Sequence, residues 1–353
     1  MRFSQSIAAA IVVTGIVTAP LSDHFSPVGA ASPRADGAAL VSPAAEAPPS
    51  KRETAPPQDP TAVGLTQEKN YTHHWIDVDG VKTHYIQSGK GEPLVLVHGA
   101  LPWCSSQATY GDVVGRLGKN FNTIALDVIG FGYTKARGPQ DYSGQAQAEF
   151  VIKFIEALGV GPVYIEGNSH GGFLTQYVAH ERPNLVRKLV ISNSLNGTAP
   201  IPNENYAYAS ERRYYRSQTA EQIREMLEGY YKHKDLVTDD RVKLVHDLWQ
   251  RNYEYAHKRA LAVGASVEAF NKNLNYKGKH ISEWGGQLKI PVLLVFSEPG
   301  SKVEWGIGHF FRVPGAEMHI LPWSGHHLFT DQPDRWVQVV TEWLKNKPAR
   351  PPT

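Results

Sequence analysis

The chain has little cysteine and little excess of either charge, and both shortages narrow the classes of function. Cys104 is the single cysteine among 353 residues, which excludes an internal disulfide framework and a metal site built from several cysteines. Lysine and arginine number 36 against 34 aspartates and glutamates, and no sustained basic stripe occurs, so we expect no nucleic-acid partner. The metal-binding pattern H-E-x-x-H is also missing. We therefore expect no metal and no cofactor, and a small molecule as the partner.

The first 65 residues lack the pattern of a folded domain. Residues 7–21 form a short apolar run after the basic start at Arg2, and small residues follow it. This order predicts an export signal over residues 1–31, cleaved near Ala30 or Ala31, and hence a periplasmic or secreted protein. A membrane becomes a partner only if the signal stays attached. Residues 32–65, rich in alanine, proline and charge, predict a disordered linker.

Strand-like and helix-like segments alternate from Tyr71 onwards, which predicts an α/β fold with a mostly parallel sheet. An antiparallel pair joined at Asp79-Gly80 is expected first. We place the core of the fold over residues 66–197 and 286–349. Apolar runs suited to strands buried on both faces lie at 94–99, 122–128, 163–167, 188–193, 291–297 and 317–322.

Residues 198–285, called the helical insertion below, interrupt this alternation. Thr219 and Gln222 have the spacing of a capping box, and Ile223 and Leu227 follow at helical offsets. We interpret the insertion as a helical cap over the carboxyl edge of the sheet, where open α/β sheets bind ligands. Its many tyrosines and tryptophans predict an apolar or aromatic substrate.

The stretch GNSHGG, residues 167–172, is the strongest chemical signal. It joins an apolar run to a helix-like segment, and its glycines permit a sharp turn that would leave Ser169 projecting from the sheet. A serine hydroxyl is a poor nucleophile until a base removes its proton, so this position predicts a nucleophile with a base elsewhere.

The base and the oxyanion donors are predicted from two other loops. His326, in the stretch SGHHLF after the last apolar run, is the candidate general base, and His327 beside it either lines or covers the pocket. Two backbone amides are needed to hold an oxyanion; those of Ala100 and His170 are the candidates. We predict a binding or supporting role for Trp103, near Ala100, and leave a role for the His170 side chain open.

Four motifs in order resemble the α/β-hydrolase superfamily: LVLVHG, DVIGFG, GNSHGG and SGHHLFTDQP, spread from about Tyr71 to Leu344. The resemblance implies an eight-stranded, mostly parallel sheet with helices on both faces. Within the superfamily, GNSHGG and the insertion are similar to the meta-cleavage product hydrolases, which break carbon–carbon bonds in vinylogous diketones. That likeness implies a supporting role for Asn168. His327 stands where those enzymes typically carry a tryptophan.

The carboxylate of a serine–histidine–acid triad is absent from both places where the resemblance implies it. Gly300 occupies the usual position after the seventh strand, and Asn193 occupies the alternative position after the sixth. Glu298 is the predicted acid because it is the nearest carboxylate in the expected loop. Glu304, or Asn193 fixing the imidazole tautomer without supplying charge, are the alternatives.

These residues predict an exported serine hydrolase that acts on an apolar ester, lactone or diketone. A cofactor-independent oxygenase is one alternative, since such enzymes on this fold resemble the chain in an SHGG-like elbow and in the segment FSEPG. A non-catalytic ligand receptor is another, because the regular acid is missing. The oligomeric state is left open.

Overall fold

The computed structural model describes residues 70–194, 219–263, 267–299 and 303–346. Its centre is an eight-stranded sheet with the strand order β1-β2-β4-β3-β5-β6-β9-β10, which confirms the predicted fold class. The strands are β1 (Thr72–Val78), β2 (Val81–Ser88), β3 (Pro93–Val97), β4 (Asn122–Leu126), β5 (Val163–Asn168), β6 (Val186–Ser192), β9 (Val292–Pro299) and β10 (Glu317–Ser324).

The predicted antiparallel pair opens the sheet. Val78 pairs with Val81, and the two turn residues Asp79 and Gly80 have φ of 54° and 77°, as a tight two-residue hairpin requires. β2 pairs with β4 antiparallel, and every later neighbour pair in this sheet is parallel. The carboxyl ends of the parallel strands therefore meet at one edge.

Side chains along each strand point alternately to the two faces of the sheet and pack into two hydrophobic cores. In β3, Val95 and Val97 pack into one core, whereas Leu94 and Leu96 pack into the other. The helices α3 (Gly144–Leu158) and α4 (His170–Glu181) contribute to the first core, and α1 (Ser106–Tyr110) and α2 (Val114–Leu117) contribute to the second. The sheet is thus covered on both faces.

The described part of the helical insertion is helical with one short hairpin. Its elements are α5 (Ala220–Tyr230), α6 (Asp239–Val263), α7 (Val267–Asn273), the two-residue strands β7 (Asn275–Tyr276) and β8 (Lys279–His280), and α8 (Ile281–Trp284). The predicted capping box is present at α5, where Thr219 Oγ1 accepts from the Gln222 amide at 3.2 Å and Gln222 Oε1 accepts from the Thr219 amide at 3.1 Å. Residues 195–218, which include the first part of the insertion from residue 198, lie outside the described residues.

Three α-helices follow the insertion in the part of the chain that the structure describes. They are α9 (Val303–Phe310), α10 (Leu328–Asp331) and α11 (Pro333–Lys345), and the apolar stripe of α11 packs into the second core. Among the described residues, no helix combines the length and the apolar character that a membrane span needs. The predicted export signal and linker fall before residue 70, outside the described ranges.

Candidate active site

Ser169 sits on a strained turn between β5 and α4. Its φ of 55° and ψ of −121° are values that a non-glycine residue rarely adopts. The turn needs glycine at two positions because neither has room for a side chain. A Cβ on Gly171 would lie 2.0 Å from the Val97 carbonyl oxygen, and one on Gly172 would lie 2.4 Å from Ser194 Cβ. Ser169 itself is partly exposed. The sequence motif and this geometry agree on a presented serine.

Hydrogen bonds to β6 hold the turn in place. The amide of Ser169 donates to the carbonyl oxygen of Ser192 at 3.1 Å, and Asn168 Nδ2 donates to the same oxygen at 3.1 Å. Asn168 is fully buried. Through this hydrogen bond Asn168 would support the turn that carries the nucleophile.

The loop that carries Ala100 lies directly against the nucleophile. A Cβ on Gly99 would come within 3.2 Å of Ser169 Cβ and 3.5 Å of its Oγ. Buried His98 fixes this loop: its Nδ1 donates to the Gly99 carbonyl oxygen at 2.7 Å, while its Nε2 accepts from the Val128 amide at 3.1 Å. Ala100, partly exposed, follows immediately.

His170, the second predicted oxyanion donor, is the first residue of α4. The amides at a helix N-terminus have no partner within the helix and carry the positive end of its dipole. The structure therefore brings both predicted donor residues next to Ser169.

The loop of His326 is anchored at the end of β6, the strand that also holds the Ser169 turn by hydrogen bonds. Asn193, the residue after Ser192, donates through Nδ2 to the carbonyl oxygen of His326 at 2.9 Å and to that of Gly325 at 3.2 Å. Consecutive residues at the end of β6 thus hold the Ser169 turn and the His326 loop. Within the described residues, no hydrogen bond joins Ser169 Oγ to the His326 ring, a contact that often tightens only when substrate binds.

The His326 ring is partly exposed, with protein around most of it. Tyr230 of α5 packs edge-on against the ring with centroids 5.0 Å apart, and the Tyr230 carbonyl oxygen accepts from the His326 amide at 3.3 Å. Desolvation by burial lowers the pKa of His326 to about 4. The ring is therefore neutral near pH 7, which is the form that can accept a proton.

Trp103 and His327 are buried side chains that pack on each other next to His326. Trp103 is 0% exposed and His327 is 1% exposed, and their rings lie 5.0 Å apart. A substrate cannot reach side chains so completely enclosed. Of the binding and supporting roles predicted for these two residues, the structure therefore favours support.

The acid predicted from the sequence is not brought to His326. Glu298 lies on β9, which continues its pairing with β10 as far as Pro299, and its side chain is exposed. The buried Ser297 side chain faces Asn193, whose Nδ2 donates to Ser297 Oγ at 2.9 Å, so strand alternation directs Glu298 to the other face. Among the described residues, no hydrogen bond or ion pair joins Glu298 to His326. The assignment of Glu298 is corrected on this ground.

The two alternatives fare differently. The Asn193 amide is bound to the main chain of residues 325–326 and to Ser297, so it holds the loop and does not orient the imidazole. This corrects the idea that Asn193 fixes the tautomer. Glu304 belongs to the first turn of α9, and its side chain lies outside the described residues.

Asp331 was missed by sequence reasoning. Its buried carboxylate accepts from three main-chain amides: that of Gly325 at 2.6 Å, that of Lys232 at 2.9 Å and that of His233 at 3.0 Å. It therefore ties the histidine loop to the segment after α5. Its place inside SGHHLFTDQP was the only signal in the sequence.

Asp127, the residue after β4, has a carboxylate that is held in a similar way. Its carboxylate accepts from the Ser106 amide at 2.6 Å, the Tyr133 amide at 2.8 Å and His84 Nδ1 at 2.7 Å. Burial would raise the pKa of Asp127, but the His84 ring and the amide donors outweigh burial and lower it to about 2. The carboxylate thus fixes the start of α1, which follows the oxyanion loop.

The site therefore combines a serine on a strained strand-to-helix turn, a neutral histidine on the loop after the last strand, and two candidate amides beside the serine. Residues 92–333 match the family model of the alpha/beta hydrolase fold. The chain belongs to this α/β-hydrolase family.

Relatives of this α/β hydrolase are hydrolases of small molecules. It is 24% identical over 297 residues to 2-hydroxy-6-oxo-6-(2'-aminophenyl)hexa-2,4-dienoic acid hydrolase of Metapseudomonas resinovorans, covering 79% of this chain and 93% of that protein. It is 26% identical over 270 residues to (E)-2-((N-methylformamido)methylene)succinate hydrolase of Acinetobacter baylyi, covering 75% and 95%.

A solved structure shows the same fold. The 2-hydroxy-6-oxo-6-phenylhexa-2,4-dienoate hydrolase of a Rhodococcus species aligns with a TM-score of 0.63 and 19% identity, over 78% of this chain and 99% of that one. The resemblance expected from the motifs is thereby confirmed for the family and the fold.

Proposed function

We propose that this α/β hydrolase uses Ser169 as a nucleophile to cleave a carbonyl compound with an apolar or aromatic body. The observation that carries the proposal is the shared anchoring of the two reactive loops. Ser192 holds the strained turn of Ser169, and its neighbour Asn193 holds the loop of His326. A presented serine and a neutral imidazole at one sheet edge are the parts that acyl transfer needs.

In the proposed reaction, Ser169 Oγ attacks the carbonyl carbon while His326 takes its proton. The negative charge that develops on the carbonyl oxygen is held by the amides of Ala100 and His170. Collapse of this adduct breaks the bond to the leaving group, which takes the proton from His326. Water then attacks the acyl-serine with His326 again as base, releasing the acid and restoring Ser169.

For the substrate class, we favour a conjugated diketone whose carbon–carbon bond is cleaved, with esters and lactones as further candidates. Two of the relatives named above have 6-oxo-hexa-2,4-dienoates in their names. In such a compound the departing carbon's charge is delocalised into the conjugated oxygens. The partly exposed apolar residues Ala100, Leu101 and Tyr230 beside the site suit an aromatic or aliphatic body.

The helical insertion acts as the cap over this site. It contacts both loops of the site: Tyr230 packs on His326, and Asn252 of α6 donates through Nδ2 to the Pro102 carbonyl oxygen at 3.2 Å. Cap movement would therefore be felt by the base and by the oxyanion loop.

Glu304 is the acid that we carry forward, because the side chains of Glu298 and Asn193 point elsewhere. We also propose that the protein is exported, on the strength of the apolar run at residues 7–21.

Covalent labelling tests the reaction class. A fluorophosphonate probe should react at Ser169, and the reaction should vanish in Ser169→Ala and slow strongly in His326→Ala. Turnover of an aryl ester, a lactone and a vinylogous diketone then separates the substrate classes. Full turnover in Ser169→Ala would overturn the proposal; oxygen uptake by that variant, lost in His326→Ala, would point to the oxygenase.

A further inference from the structure

The side chain of His170 has no part in the reaction proposed above, yet the structure holds it firmly. Its ring is buried and stacks on Phe173 with centroids 5.7 Å apart. Its Nε2 lies 3.0 Å from Gln147 Oε1, on the first turn of α3. The residue that follows the nucleophile is therefore fixed from its side chain as well as from its helix.

The contact with Gln147 is one link of a longer hydrogen-bonded chain. Gln147 Nε2 donates to the hydroxyl of Tyr255 at 2.6 Å, and that hydroxyl donates to the main-chain oxygen of Asp141 at 3.0 Å. The main-chain oxygen of Asp141 can only accept a hydrogen bond, so the Tyr255 hydroxyl must donate to it. This sets the donor and the acceptor in every hydrogen bond of the chain. Gln147 Oε1 then accepts from His170 Nε2, which must carry the proton.

Tyr255 reaches this chain from the helical insertion. It belongs to α6, and its ring enters the loop after β4, where a Cβ on Gly130 would lie 2.1 Å from the ring. Phe131 and Tyr142 pack edge-on against it, with centroids 5.4 Å and 5.0 Å away. The ring is thus half-buried against the core, and its hydroxyl is held by the two hydrogen bonds of the chain.

We infer that Gln147 and Tyr255 are positioning residues that act through His170 to set the oxyanion hole according to the position of α6. The inference rests on the proposed function, since it assigns the His170 amide to the oxyanion. This hydrogen-bonded chain from Tyr255 through Gln147 to His170, called the relay here, joins the insertion to the residue whose amide stabilises the oxyanion. A substrate that seats α6 correctly would therefore also align that donor.

The relay acts on the transition state and not on ground-state binding. Removing one oxyanion donor outright costs about 10²–10³ in kcat. Loosening a donor that stays in place should cost less, so we expect about a tenfold loss of kcat with KM unchanged within twofold. Loss of structure alone would instead lower the fraction of active protein.

The test uses Tyr255→Phe, Gln147→Leu and the double variant of the full chain. Tyr255→Phe keeps the packed ring, and Tyr142→Phe is the matched control because Tyr142 packs on the same ring outside the hydrogen-bonded chain. The readouts are the rate of fluorophosphonate labelling of Ser169, normalised to its final amplitude, and kcat and KM for p-nitrophenyl butyrate.

Each single variant should lower the labelling rate and kcat about tenfold, and the double variant should lose no more than either single one, because both break one chain. Tyr142→Phe should stay within twofold of the wild type. Unchanged rates in Tyr255→Phe, additive losses in the double variant, or an equal loss in Tyr142→Phe would overturn the inference. If the wild type itself is not labelled at Ser169, the proposed function fails instead.

Discussion

The turn of Ser169 and the loop of His326 meet at one edge of the sheet, but they are held in different ways. The turn is held by close packing: Gly171 lies against the main chain of Val97 and Gly172 against the Ser194 side chain, and neither position has room for a Cβ. The loop is held by polar groups: the Asn193 amide and the carbonyl oxygen of Tyr230, both from far along the chain, and the Asp331 carboxylate a few residues further on. The turn should tolerate no added atom, whereas the loop should weaken stepwise as its hydrogen-bonding partners are removed.

Gly171→Ala should have the largest effect. The new Cβ would lie 2.0 Å from the Val97 carbonyl oxygen, so β3 and α4 would have to separate. We expect a loss of more than about 3 kcal/mol in the free energy of unfolding and no labelling of Ser169. Gly229→Ala in α5, where nothing lies within 4 Å, is the control and should gain up to about 1 kcal/mol. Equal urea midpoints for the two variants would contradict the account.

Asp331→Ala should have the next largest effect, through the histidine loop. It leaves the amides of Gly325, Lys232 and His233 without their acceptor; the Gly325 contact is buried and the other two are half-buried, and an unsatisfied buried donor costs roughly 1–3 kcal/mol. Water and local movement would recover part of this, so we expect a loss of about 2–4 kcal/mol together with a tenfold or greater fall in kcat.

The control for Asp331→Ala is Asp334→Ala, in the next helix. The Asp334 side chain is 88% exposed and pairs with Arg116 at the surface, so its loss should cost less than about 1 kcal/mol. Denaturant unfolding and labelling of Ser169 measure both variants. If Asp334→Ala were as damaging as Asp331→Ala, the loop would not depend on the buried carboxylate.

The same contrast explains what the sequence could predict. The hairpin at Asp79-Gly80, the strands and the Ser169 turn follow from local requirements, and a few neighbouring residues show each of them. The role of Asn193 depends on contacts across 133 residues of chain, which no local pattern shows. Glu298 was misassigned for a related reason: it lies in the expected loop, but strand pairing beyond Ser297 turns it outward.

Below pH 9, the two regions should also respond to pH with opposite signs. Glu166 lies on β5 beneath the serine turn, where it is fully buried and accepts from the Tyr110 hydroxyl at 2.6 Å. Burial raises the pKa of Glu166 from 4.5 to about 8. Its contribution to stability is therefore complete below pH 4.5 and is lost as pH rises to about 8, by up to about 1.4 kcal/mol per pH unit. Glu166→Gln should flatten this loss and be more stable than the wild type at pH 9.

The contribution of the histidine loop to stability should instead be lost in acid. Desolvation by burial lowers the pKa of His327 well below 6.5, so its contribution to stability is present above pH 6.5 and is lost as pH falls. His327→Phe keeps an aromatic ring and should flatten that acid loss without changing stability above pH 8. Urea unfolding of both variants from pH 4.5 to 9 measures the two slopes; a common slope change would show that the regions do not titrate separately.

Glu298→Gln should have the smallest effect. An exposed side chain that makes no contact with His326 in the described residues can neither orient the imidazole nor stabilise its charge, so kcat should stay within twofold of the wild type. Glu304→Gln is the informative partner, because losing the acid of such a triad costs about a hundredfold or more. A hundredfold loss in Glu298→Gln would mean that β9 opens beyond Ser297 during catalysis. The histidine loop would then be completed by a movement of the strand, whereas the serine turn is already complete without substrate.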